Sequence, residues 1–267
     1  MTAAAKPMPE EPVLLRDDAG GVATLTLNRP QARNALSVAL LDALQAEFDA
    51  IATDQSVHVV VVAANGPAFC AGHDMKEVRA NPGLDNYQAL FEQSSRLMKS
   101  IIRLPQPVIA KVHATATAAG CQLAATCDLV VAASTAHFAT PGVNIGLFCS
   151  TPMVALSRAV GRKQAMEMLL TGEFVDAERA RQMGLVSRVA APERLDDEVA
   201  GLAALVASKS PLTLAIGKEA FYRQADLDLD AAYACGAEAM ARNMTARDAE
   251  EGIDAFLEKR QPKWEGR

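Results

Sequence analysis

Val57-His58-Val59-Val60-Val61-Val62-Ala63 is a near-continuous β-branched run. Such a run predicts a strand buried on both faces of a parallel sheet, because a strand with one wet face alternates apolar and polar residues instead. Upstream, Val22-Ala23-Thr24-Leu25-Thr26-Leu27-Asn28 alternates as a half-buried strand does, after the turn signal Asp18-Ala19-Gly20-Gly21. Between the two lie a polar stretch, residues 29–34, and then Ser37, placed to cap a helix. Leu40, Leu41, Leu44, Phe48 and Ile51 follow at helical spacing.

Downstream, residues 65–75 are rich in Gly and Ala and read as a loop. The spacing of Leu90, Phe91, Leu97 and Ile101 predicts a helix over about 86–103, which stops before Pro105 and Pro107. The pattern then recurs, with a short strand at Val108–Val112, a short helix at Ala119–Thr126 and a buried strand at Leu129–Ala133. Strand, loop and helix in repeated order imply an α/β class with right-handed crossovers.

After about Pro192 the β-branched runs vanish. Residues 195–208 are apolar-periodic, Pro211 stands where the first residue of a helix belongs, residues 229–244 are Ala-rich, and Ile253, Phe256 and Leu257 mark a final helix. The chain therefore divides into an α/β core over 1–191 and a helical region over 192–267. Closely packing, Ala-rich helices would suit a partner subunit as well as their own core.

The composition sets outer bounds. The 267 residues are 50% hydrophobic and 22% charged, and 32 acidic against 26 basic side chains leave a formal charge of −6. That excess argues against a dedicated nucleic-acid surface, which needs clustered Lys and Arg. It leaves room for a small anionic ligand held by a few local cations. No apolar run approaches the ~20 residues of a membrane span, and Met1 to Pro12 lacks the apolar stretch of a signal peptide. The five Cys form an odd set with no C-x-x-C pair, and the four His show no metal-binding spacing. A soluble protein with reduced thiols, located in the cytoplasm, is the expectation.

Two loops are suited to chemistry. Phe69-Cys70-Ala71-Gly72-His73-Asp74-Met75-Lys76-Glu77 follows a buried strand, and Ala116-Thr117-Ala118-Ala119-Gly120-Cys121-Gln122-Leu123 opens a helix. Small residues let backbone approach a ligand, and the free N–H groups of a helix start carry the positive end of its dipole. Two such groups facing one point make an oxyanion hole.

With these loops, other pieces recur in order: Leu27-Asn28-Arg29-Pro30, Asn34-Ala35-Leu36, Cys127-Asp128, Leu169-Leu170-Thr171-Gly172, Ala180 to Val189, and Phe256-Leu257-Glu258-Lys259-Arg260. Together they resemble the enoyl-CoA hydratase/isomerase (crotonase) superfamily over nearly the whole chain. The second loop, with residues 138–152, is similar to its subgroup called enoyl-CoA hydratase domain-containing protein 3.

The resemblance implies a crotonase-like spiral of ββα units with a C-terminal helical trimerisation region, assembled as a homotrimer or as a hexamer made of two trimers. It implies an acyl-CoA thioester as substrate or ligand, with no permanently bound cofactor and no metal. By motif position the backbone N–H groups of His73 and Ala119 would hold the thioester oxygen and stabilise an enolate. The stretch His73, Asp74, Met75, Lys76 would hold the adenine end of CoA. Lys76, with Lys259 or Arg260 of a neighbouring subunit, would meet its phosphates.

The chain departs from the family where hydratases carry two glutamates that position the attacking water. Gln122 stands at the first position and Gly142, in Thr140-Pro141-Gly142, at the second. Gln122 can orient a water but cannot exchange a proton near pH 7, and Gly142 offers only backbone. Ordinary hydration should be weak. A hydratase or isomerase rescued by another group is one reading. Its rescuer would be a bicarbonate in the space beside Gly142, as the resemblance to naphthoyl-CoA-forming members implies, or Cys149, Ser150 or Tyr87. Decarboxylation of a malonyl-type thioester, and a non-catalytic acyl-CoA-binding or assembly protein, are the alternatives. Restoring both carboxylates, Gln122→Glu with Gly142→Glu, should raise hydration.

Overall fold

The computed structural model describes residues 11–267, so most of the Met1 to Pro12 stretch read for a signal peptide lies outside the described residues. The β-branched run forms β3 (Val59–Ala64) inside a six-stranded sheet. Its other strands are β1 (Leu14–Ala19), β2 (Val22–Leu27), β5 (Val108–Val112), β7 (Leu129–Ala133) and β10 (Arg188–Ala190), in the order β1-β2-β3-β5-β7-β10. All neighbours are parallel except the β1–β2 hairpin.

The period of two explains the four consecutive valines that open β3. Val60 and Val62 face one core with Leu25, Leu27 and Val108, whereas Val59 and Val61 face a second core with Ile109 and Val131. The first is covered by α1 (Val38–Ile51), through Leu40, Leu41, Leu44 and Phe48, and by α3 (Leu84–Arg103), through Leu97 and Ile101. Ser37 caps α1 as its type predicts, accepting from Leu40 N at 3.2 Å. The second is covered by Leu195, Val199, Leu202 and Ala203 of α8 (Leu195–Ala207).

A smaller sheet lies downstream of the large strands. It is formed by β4 (Ala68–Cys70), β6 (Thr115–Thr117), β8 (His137–Ala139) and β9 (Val175–Asp176), in that order. The region read as one loop over 65–75 therefore contains β4 and ends at α2 (Met75–Ala80). Each unit sends a strand into the large sheet, a short strand into the small one, and then a helix. In the unit after β5 that helix is α4 (Ala119–Thr126), and after β7 it is α5 (Pro152–Ala159). This is the ββα spiral that the resemblance implied.

The chain continues through α6 (Arg162–Thr171) and α7 (Ala177–Met183), and after α8 through α9 (Pro211–Gln224), α10 (Leu229–Met244) and α11 (Arg247–Glu258). Lys218 anchors α9 to the core. Its Nζ donates to Asp128 Oδ2 at 2.6 Å and to the carbonyls of Ile101 and Gln106, while the Tyr222 hydroxyl donates to Asp128 Oδ1. A half-buried carboxylate thereby has a charged partner and two further donors, since Val108 N also reaches it. In contrast, Leu229, Tyr233, Phe256 and Leu257 of α10 and α11 are exposed. Among the described residues no single helix is long and apolar enough to cross a membrane.

Candidate active site

The two loops singled out in the sequence meet through their glycines. A Cβ on Gly120 would lie 2.1 Å from the Cys70 carbonyl oxygen, so α4 begins in direct backbone contact with the end of β4. A Cβ on Gly72, whose φ is 95°, would lie 2.9 Å from Ala118 Cβ and 3.3 Å from Ala119 N. Only glycine permits both approaches.

Backbone pairing aims His73. Leu36 N donates to Gly72 O at 2.7 Å and Asp74 N donates to Leu36 O at 3.2 Å, a parallel bridge centred on His73. In such a bridge the flanking groups face the partner, and the central residue's own N–H turns to the opposite side. Ala119 is the first residue of α4, where an N–H has no intrahelical acceptor. Neither N–H has an acceptor among the described residues. Between them Ala118 holds φ 51° and ψ −119°, a conformation rare for an L-residue, fixed by its N–H on Ala139 O at 2.9 Å. Such a backbone costs on the order of 1–3 kcal/mol and persists only where its surroundings impose it. Two unpaired donors beside one strained residue are an arrangement that can stabilise a developing oxyanion.

The side chains around them are neutral. Gln122, one turn into α4, is 4% exposed and its Oε1 has no hydrogen-bond partner; Thr140 is fully buried with its Oγ1 unpartnered. The His73 ring packs edge-on against Phe91 of α3, with centroids 5.3 Å apart, and its Nε2 is buried without a partner. Burial pushes its pKa down to about 4, so the imidazole is neutral at pH 7. Burial likewise pushes the Cys70 and Cys121 thiols up to about 12 and raises Cys149.

The space beside Gly142 bears on the expected gain from a carboxylate there. A Cβ would meet Leu147 O at 2.5 Å and Cys149 Sγ at 2.9 Å. Gly142→Glu therefore cannot be accommodated without moving the backbone at Leu147. Of the other candidates, Cys149 forms this plug, and Ser150 is exposed with its hydroxyl on Phe148 O. Tyr87 is half-buried on α3, one turn before Phe91. Thr140 and the packing of the His73 ring on Phe91 are what residue-by-residue reading missed. The pair His73…Phe91 carries no local period, and Thr140 is an ordinary threonine before a proline.

The residues expected to meet CoA are distributed unequally. Asp74 caps α2 by accepting from Lys76 N at 3.1 Å and pairs with Arg29 at 3.0 Å. Desolvation raises its carboxyl, but Arg29 and the N–H groups of Lys76 and Glu77 outweigh that and hold it below its ordinary value. Met75 and Lys76 are exposed at the start of α2. Lys259 ends α11 in the left-handed region at φ 57° and is exposed. Arg260 is engaged by Glu251 and Glu258, each at 2.6 Å. Among the described residues no group of three or more His, Cys, Asp or Glu is placed to hold a metal.

The ββα spiral and its paired loops place the molecule in a recognisable class: the chain belongs to the enoyl-CoA hydratase/isomerase family, whose profile matches residues 17–267. It is 46% identical over 244 residues to the rat protein called enoyl-CoA hydratase domain-containing protein 3, mitochondrial, covering 91% of this chain and 81% of that one. It is 38% identical over 247 residues to the 2,3-dehydroadipyl-CoA hydratase of Escherichia coli, covering 92% and 96%. Among solved structures, an enoyl-CoA hydratase of Mycobacterium smegmatis superposes with a TM-score of 0.94 at 56% identity, covering 95% of this chain and 99% of that one. The cytoplasmic expectation is corrected by the curated relatives: the rat, zebrafish, mouse and human proteins are all named as mitochondrial.

Proposed function

We propose that the protein is an acyl-CoA-binding enzyme that holds a thioester oxygen between the N–H groups of His73 and Ala119 and acts through the enolate so stabilised. The observation that supports this reading is the close approach of Gly72, the residue before His73, to Ala118 and Ala119, with the N–H groups of His73 and Ala119 both without an acceptor among the described residues. Gln122 Oε1 and Thr140 Oγ1, buried and unpartnered, are suited to holding a water or a small polar group of the ligand. With an amide at 122 and a filled space at 142, hydration is expected to be slow, because general acid–base catalysis typically contributes ~10²–10⁴-fold.

A second reading, decarboxylation of a malonyl-type CoA thioester, is favoured by the neutrality of the site. Loss of CO₂ needs the electron pair stabilised at the oxyanion and no carboxylate base. Titration calorimetry with butyryl-CoA tests binding. Crotonyl-CoA hydration and CO₂ release from methylmalonyl-CoA then separate the two chemistries. Binding with neither turnover would leave a non-catalytic acyl-CoA binder, and no binding would end the proposal.

Lys76 and, from a neighbouring subunit, Lys259 are proposed to meet the CoA phosphates; both are exposed and neither has an ion-pair partner among the described residues. The exposed apolar residues of α10 and α11 support a homotrimer or a hexamer. Light scattering on the purified protein measures that state, and a monomer would remove Lys259 from the site.

A further inference from the structure

A cleft of about 1050 Å³ lies at the far end of α3, between Ile102 to Pro105, helix α9 and the turn that joins α10 to α11. Along α3 the backbone rises ~1.5 Å per residue from Phe91, which touches His73, to Arg103 at the cleft, a separation of roughly 18 Å. The cleft is therefore distinct from the candidate active site. Its lining is mostly aliphatic, with Ile102, Leu104, Leu212 and Ile216 as the main contributors, and Leu104 and Ile216 are themselves buried. The one aromatic residue at its wall, Tyr222, has its hydroxyl committed to Asp128 Oδ1 at 2.8 Å. Small-molecule sites commonly span ~300–1,000 Å³ and combine such an apolar lining with a few polar groups that fix orientation.

The charges around the cleft are paired, with one exception. Glu219 meets Arg242 at 2.7 Å, Arg223 meets Glu238 at 2.8 Å, and Asp226 lies 3.8 Å from Arg158. Arg103 is exposed and has neither an ion-pair nor a hydrogen-bond partner among the described residues. A cation in the last turn of a helix suits the dipole. Arg103 does not cap that end, however, because Lys218 Nζ already donates to the carbonyls of Ile101 and Gln106, and Leu104 N to that of Ser100. The five N–H donors of its guanidinium are left for an acceptor from outside the chain.

We infer that this cleft binds a long-chain fatty carboxylate, with the aliphatic chain on Ile102, Leu104, Leu212 and Ile216 and the carboxylate on Arg103. A guanidinium matches a carboxylate with two parallel hydrogen bonds, and one unpaired cation calls for one anionic head. An aliphatic wall favours a flexible chain over a planar ring, which gains most from stacking on an aromatic face. The site does not depend on the acyl-CoA reading above.

The test uses laurate below its micelle concentration and the full-length protein in the assembly it forms in solution. Calorimetry should give one laurate per chain, bound equally with and without saturating butyryl-CoA. Arg103→Gln should weaken laurate about tenfold, the loss of one charge-assisted contact. The same variant should leave the weaker binding of uncharged dodecanol unchanged. Ala215→Trp, which fills the cleft from α9, should abolish binding of both. Circular dichroism checks folding, and Arg103→Gln, a change at an exposed side chain, carries the test alone if Ala215→Trp does not fold. No laurate binding, as would follow if a neighbouring copy covered the cleft, overturns the inference. Wild-type affinity for laurate in either folded variant overturns it too, as does displacement of laurate by butyryl-CoA, which would put the chain in the candidate active site instead.

Discussion

The two sides of the candidate site are built by opposite means. On the donor side, backbone meets backbone: Gly120 against Cys70 O, Gly72 against Ala118 and Ala119, with Ala118 held in a strained conformation. On the other side, side chains set the character: an amide at Gln122 and a plug of Leu147 and Cys149 beside Gly142. The first arrangement has no slack, because a methyl group at Gly120 collides with the Cys70 carbonyl and one at Gly72 with Ala118 Cβ. The second is a matter of which side chains are present. The arrangement of the backbone N–H groups is therefore set by the fold, whereas the chemistry opposite them can be changed by single substitutions.

The largest effect should come from breaking the donor side. Gly120→Ala puts a methyl group on the Cys70 carbonyl and is expected to destabilise by about 3 kcal/mol or more, the upper range for overpacking, and to abolish butyryl-CoA binding. Urea unfolding and calorimetry measure both. A variant as stable as wild type would mean that the two loops are not locked together.

Next in size is a pH effect seated at His73. Its folded pKa, about 4, lies below the unfolded value near 6.5. The unfolded chain therefore binds the proton first as pH falls, and stability is lost between roughly pH 6.5 and 4. The shift corresponds to about 3 kcal/mol as an order of magnitude. His73→Asn should be less sensitive to acid than wild type across that window. Identical pH profiles would place the imidazole in water instead of against Phe91.

The smallest effect sharpens the other side of the comparison. Gln122→Glu alone meets no steric barrier of the kind found at 142 and should raise crotonyl-CoA hydration about 10–100-fold. Adding Gly142→Glu should cancel the gain and lower stability, in contrast to the expectation from sequence that two carboxylates are better than one. A double variant that outperforms Gln122→Glu would show that Leu147 and Cys149 move aside readily.

Much of the fold was legible because burial leaves a period. The valines of β3 announced a strand covered on both faces, and Ser37 and Pro211 announced helix starts. The strands β4, β6 and β8 were not legible. Each has three residues, too few for a period, and exists because its neighbours offer a backbone to pair with. At the site, the motif positions of His73, Ala119, Gln122 and Gly142 were readable, but the state of each was not. A glycine at 142 that looked open to a side chain proved to be closed to one, and the imidazole of His73 proved to pack on Phe91.

The amino-acid sequence by itself determined the class of this protein: the β-branched runs, the small residues of two loops and the missing glutamates are local features that survive in one dimension. Only the tertiary structure decided that a side chain at 142 runs into Leu147 O and that the His73 ring packs edge-on against Phe91. Those facts depend on excluded volume between residues distant in the chain, and a sequence records which atoms are present, not which of them compete for the same space.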